Sequence, residues 1–145
     1  MAFKNEKQLK DFLMAKCKAA VANTEKEVYE TFNMNVDNFY DEFTPKQYDR
    51  TDKLSNSLST SEVTQIGNGV YADVWFDPNM MDYTTGSWSG ETVLNVAMSS
   101  KVPHGGYKSG TAIWEESMLA MHDKGGIKEI LKQNLIAEGV PIVKK

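Results

Sequence analysis

The sequence predicts an α+β fold. Its parts are a long N-terminal helical arm, a small antiparallel sheet with a central β-hairpin, C-terminal helices packed on the sheet, and a short terminal edge strand. Three observations carry this. The chain has no glycine before Gly67, and its only earlier proline is Pro45, so nothing breaks a helix in the arm. Asn68-Gly69 then lies between two β-prone runs, a strong local signal for a tight hairpin turn. Further on, Gly125-Gly126 and Gly139 punctuate stretches of helical apolar period.

In the arm, Leu9, Leu13, Cys17, Ala20, Thr24, Val28, Phe32, Val36, Phe39 and Phe43 recur at steps of three and four and define one helical face. Thr24 and Glu27 form a capping-box pattern that would restart a second helix. The stripe passes through it in phase, so one helix from about Asn5 to Phe43, or two nearly collinear ones, is expected. Such an arm either packs part of its stripe on a neighbouring copy or kinks back onto its own sheet. Thr44-Pro45-Lys46-Gln47 stops it, since Pro45 suits a first helical position with Thr44 as cap. The body, 44–145, belongs to the same single domain.

Glu62–Ile66 and Val70–Phe76 read as the hairpin strands, with positive φ expected at Gly69. Val70, Ala72, Val74 and Phe76 face the core. Trp75, on the other face, is covered by a helix or by another subunit. Asp77–Gly90 has no clear period. Its Met80, Met81, Tyr83 and Trp88 are apolar groups in a polar context, and an interface is the expected cover, with folding back onto the domain as the alternative. Helices follow at 91–100, at 111–122 with Ile113, Trp114, Met118 and Met121 inward, and at 127–138 with Ile130, Leu131 and Leu135 inward and Gly139 as C-cap. Val140-Pro141-Ile142-Val143 reads as an edge strand that tolerates the proline.

Composition narrows the function classes. The chain has 145 residues and a formal net charge of −4, which disfavours sequence-specific duplex binding, because that affinity comes mostly from phosphate neutralisation. Cys17 is the only cysteine, so no intramolecular disulfide is possible, and with two histidines a Cys/His zinc site is nearly excluded. The N-terminal residues lack a signal-peptide core, and no apolar run is long enough to span a bilayer, so no membrane association is expected. No cofactor motif is present: Gly105-Gly106 and Gly125-Gly126 lack phosphate-loop spacing. The one nucleophile–base idea sets Ser109 or Tyr107 beside His104, and a lone loop histidine is far more often a surface group. Glu115-Glu116 reads as a solvated face, His122 as a favourable helix-end charge and Cys17 as a small buried hydrophobe. Asp77, Asp82 and Glu91 lack the spacing of a calcium loop. No catalytic, cofactor-binding or metal-binding residue is therefore assigned. The interface candidates are Phe32, Met80, Met81, Tyr83 and Trp88.

Between arm and hairpin stands Tyr48-x-Arg50-Thr51-x-x-Leu54-x-x-Ser57. With the order arm, motif, hairpin, loop and C-terminal helices, the chain resembles the tail-completion, or head–tail joining, proteins of long-tailed bacteriophages. The resemblance spans roughly residues 5–140 and is specific over about 48–76. Where that family commonly has a glycine after the threonine, this chain has Asp52. Asp77–Gly90 is longer than the family's loop, and Val102-Pro103-His104-Gly105-Gly106 stands in for its proline-containing segment. The resemblance implies a non-catalytic virion protein, made in the host cytoplasm, that forms a ring of six copies at the head–tail junction or tail end. A connector or stopper protein lies on one side, a tail terminator or tube on the other, and DNA passes through the lumen. Rival readings are a small soluble hydrolase or transferase using the His104 loop, and a helical adaptor unrelated to phage.

Overall fold

The computed structural model describes residues 2–42, 52–81, 89–98 and 112–143. The fold is α+β. One unbroken helix, α1 (Glu6–Asp41, 36 residues), runs the length of the arm, roughly 54 Å at ~1.5 Å per residue. Asn5 caps it, its Oδ1 accepting from the Gln8 N–H at 2.9 Å. The Thr24 capping box is not used as a cap. Thr24 Oγ instead donates back to the Ala20 carbonyl at 2.8 Å, which keeps the hydroxyl satisfied inside a continuous helix.

A short helix α2 (Lys53–Ser57) follows Asp52, and four strands come next: β1 (Leu58–Thr60), β2 (Thr64–Ile66), β3 (Gly69–Tyr71) and β4 (Val74–Phe76). β1 pairs antiparallel with β4 and β2 with β3. Of the two expected hairpin strands, Val70–Phe76 is split into β3 and β4, while Glu62–Ile66 is shortened to β2 and preceded by β1, which lies outside the expected strand. Leu58 opposes Phe76 and Thr60 opposes Val74, whereas Thr64 opposes Tyr71, so residues 61–63 face only 72–73, and the extra residue is a bulge that separates a base sheet from a tip sheet. The alternation of β3 and β4 is as expected: Val70, Ala72, Val74 and Phe76 are half-buried, and Tyr71, Asp73 and Trp75 are exposed.

The turn itself sits one residue earlier than the sequence suggested. Ile66 pairs with Gly69, the loop is Gly67-Asn68, and the positive φ (+61°) falls on Gly67. A left-handed first turn residue followed by an ordinary one is the II′ pattern, whose twist suits a hairpin. Gly69 has ordinary backbone, and a Cβ there would meet only the movable Tyr71 ring. Gly67→Val is therefore expected to lower stability by ~1–3 kcal/mol, and Gly69→Val by less. Thermal melts of the two variants decide it; a larger loss for Gly69→Val would put the turn back at Asn68-Gly69.

After a single 3-10 turn at Pro78–Met80 come α3 (Gly90–Met98), α4 (Ile113–Asp123) and α5 (Ile127–Ala137). α4 and α5 both end in Schellman turns. Gly125 (φ +91°) and Gly126 donate to His122 O and Met121 O, and Gly139 (φ +81°) and Val140 donate to Ile136 O and Leu135 O. The segment Val140–Val143 is not a strand. Pro141 offers no N–H, and no strand of the hairpin pairs with it. Rather than covering the sheet, α4 and α5 pack chiefly on α1, with β1, β3 and β4 on the same helix. α1 is the shared core element, because the middle of its stripe is the longest continuous apolar surface available. Phe32, Val36, Leu54, Leu58, Met81, Ala97, Ile113, Met121 and Ile130 form one buried cluster.

Candidate assembly surface

Of the proposed interface residues, Phe32 is 5% exposed and lies inside the chain's own core. Its ring meets Phe76 edge-on (centroids 5.7 Å apart) and Trp114 at a tilt (5.5 Å). The 3-10 turn sends the two methionines to opposite sides: Met81 is fully buried and Met80 is exposed. Asp77 fixes that turn, its Oδ1 accepting from Asn79 N–H at 2.9 Å and from Asn79 Nδ2 at 3.0 Å. Tyr83, Trp88 and the whole His104 loop, with Tyr107 and Ser109, lie outside the described residues.

The helix face expected for α4 is rotated. Ile113, Ser117 and Met121 point inward, while Trp114 and Met118 are exposed. The cause is polar. Asn35, buried on α1, donates to the Thr31 carbonyl and to Ser117 Oγ, both at 3.0 Å, so a small hydroxyl residue is needed at the centre of the α1–α4 contact. Ile113-Ser117-Met121 is an i, i+4, i+8 row, and Thr24-Val28-Thr31-Asn35 is the matching row on α1. Those spacings are readable in the sequence once buried polar groups are admitted. On α5, Asn134 Nδ2 donates to Thr24 Oγ (3.2 Å) and Glu27 Oε1 (3.1 Å), and Lys16 bridges Glu138 at 3.2 Å.

Turning Ser117 inward turns Trp114, Met118 and Leu119 outward, where with Ile127 they line a shallow depression at the α4–α5 corner. The hairpin has a second apolar face: Ile66, Tyr71 and Trp75 are exposed, and no helix among the described residues buries Trp75. A third apolar surface is an open groove of about 460 Å³ between the first turns of α1, the hairpin tip and α5, lined by Leu9, Leu13, Cys17, Val70 and Leu135. Cys17 is half-buried there. Such contiguous apolar surface is what protein–protein contacts cover.

The motif residues that are described are structural. Leu54 and Ser57 are buried; Ser57 Oγ donates to Leu54 O at 2.7 Å, and Ser57 O accepts from Asp77 N–H at 2.8 Å, tying α2 to the end of β4. Asp52, which stands where the resemblance places a glycine, has φ +52° and is the one non-glycine residue in the left-handed region among those described. Glu115 and Glu116 are exposed in the first turn of α4, and His122 is in its last, each suited to the helix dipole. Among the described residues no group of three or more Asp, Glu, His or Cys side chains is placed to hold a metal ion. No helix among them is long and apolar enough to cross a membrane.

These features define a helical-arm α+β subunit that exposes apolar side chains on several surfaces among the described residues. The YomN family model matches residues 5–137, and the chain belongs to that family. The family is of prophage type, and the protein is phage-associated. No curated protein and no solved structure matches the chain.

Proposed function

We propose that this protein is a structural component of the phage particle, forming a ring, of six copies on the resemblance, at the head–tail junction or tail end. A connector or stopper protein would bind one face and a tail terminator or tube protein the other, with DNA crossing the lumen and no catalytic turnover. The reading is carried by the left-handed backbone at Asp52. That conformation favours glycine, and it falls at the position where the tail-completion resemblance has one, ahead of a helix and hairpin in the implied order. Membership of a prophage-type family and the uncovered Trp114–Ile127 and Trp75 surfaces support it further.

The test moves to residues that are exposed in the single chain. Met118→Ser with Leu119→Ser, both exposed on α4 and clear of the Phe32 ring, removes two anchors, each worth ~1–2 kcal/mol at a packed interface. Ring formation in native mass spectrometry and infectivity in a complementation assay are expected to fall by roughly tenfold or more, with little change in monomer melting temperature. His104→Ala is expected to leave both intact. Normal assembly and infectivity of the double variant would remove the α4–α5 corner from the interface. Absence of the protein from purified particles, judged by immunogold labelling, would overturn the virion reading itself.

A further inference from the structure

The hairpin bulge lies against α1 at a carboxyl group with one unpartnered oxygen. Glu25 Oε1 is shielded from solvent and has no hydrogen-bond partner, although the residue as a whole is partly exposed. Across from it, in the two-residue side of the bulge, stands Asp73. The Asp73 backbone N–H is held by Ser61 Oγ at 2.8 Å, and Asp73 O accepts from the Ser61 N–H at 3.0 Å. That clasp is the last contact of the base sheet before the ladder shifts register. Beyond it, the tip sheet β2/β3 leans on α1, and Asn68 and Val70 form one wall of the apolar groove over Leu13, Cys17 and Val21.

We propose that Glu25 and Asp73 act as a charge-controlled latch at the bulge: the tip sheet is seated on α1 while Glu25 is protonated and loosens from it, opening the groove, when both carboxylates are ionised. Loss of hydration and the neighbouring Asp73 charge raise the Glu25 pKa above its ordinary 4.5, and the Ser61 backbone amide partly opposes this. A raised folded-state value means that the closed form favours the protonated group. Its contribution is complete below 4.5 and is lost as pH rises through the raised value. Several of the other charges on α1 and α5 are paired. Lys124 faces Glu27, Glu138 faces Lys16, Lys132 faces Glu129 and Lys26 faces Glu30. Glu62, in the three-residue side of the bulge, is exposed. A bulge is a suitable pivot, since the ladder is already interrupted there.

The test compares amide exchange of the full-length chain with Glu25→Gln and Asp73→Asn at about pH 5 and about pH 8, each corrected for intrinsic rate. In the wild type, protection of Thr64–Tyr71 is expected to fall several-fold between the two pH values while that of β1 and β4 holds. Glu25→Gln removes the fall, and Asp73→Asn, which leaves the loss of hydration in place, makes it smaller; at the higher pH both label Cys17 more slowly than the wild type, because the groove stays closed for more of the time. Equal pH dependence in wild type and variants overturns the latch. So does a loss shared evenly by base and tip, which would mark a change in global stability alone.

Discussion

Phe32→Asp is expected to abolish folding of the isolated chain. Phe32 is packed between Phe76 on the hairpin and Trp114 on α4, so it joins the two halves of the body through α1. Truncating a buried phenylalanine costs ~3–5 kcal/mol, and an unpaired buried carboxylate adds several more. Against a total stability of ~5–15 kcal/mol for a domain, that sum leaves little or nothing. Circular dichroism and size-exclusion chromatography should show an unfolded or aggregated chain, with Phe32→Leu retaining a cooperative melt. A folded, monomeric Phe32→Asp protein would show that this residue is not held in the core. Phe32 is one of the interface candidates in the sequence; its burial makes it a probe of folding instead.

Gly90→Ala is expected to destabilise the protein by ~3 kcal/mol, at the upper end of overpacking costs. Gly90 opens α3 and is buried against the 3-10 turn. A Cβ there would collide with the Pro78 carbonyl and stand 2.6 Å from Met81 O, both of them backbone atoms that cannot rotate away. The collision would displace Met81, which is fully buried, from the main cluster. Asn95→Ala, at an exposed position of the same helix, is the control and should change little. Chemical denaturation of both variants checks this. Equal midpoints would mean that α3 does not dock on the turn as described.

The same contrast runs through the whole chain. The arm was legible because its signals are local: an uninterrupted period and the absence of glycine and proline. Gly139 was legible as a helix stop for the same reason, since a Schellman turn needs only its own few residues. The core positions Ala20, Thr24, Phe32 and Val36 follow from the stripe. The hairpin was legible in kind, but its turn moved by one residue. Gly67 and Gly69 both tolerate unusual backbone, and only pairing of Ile66 with Gly69 selects the loop.

Of the candidate surface, much less was readable. Met80 and Met81 are adjacent and chemically identical, yet one is exposed and the other fully buried; a 3-10 turn capped by Asp77 separates them. Trp114 carries far more apolar surface than Ser117, yet Ser117 is the buried one, because Asn35 sits opposite and needs an acceptor. Local periodicity and turn chemistry, which the sequence carries by itself, determined the class of fold, the arm and the helix ends. Which of two equivalent apolar residues faces inward, where the ladder slips at residues 61–63, and which carboxyl oxygen is left without a partner depend on contacts between distant segments. Only the tertiary structure decides these, because a polar group's free energy depends on the partner it finds rather than on its neighbours along the chain.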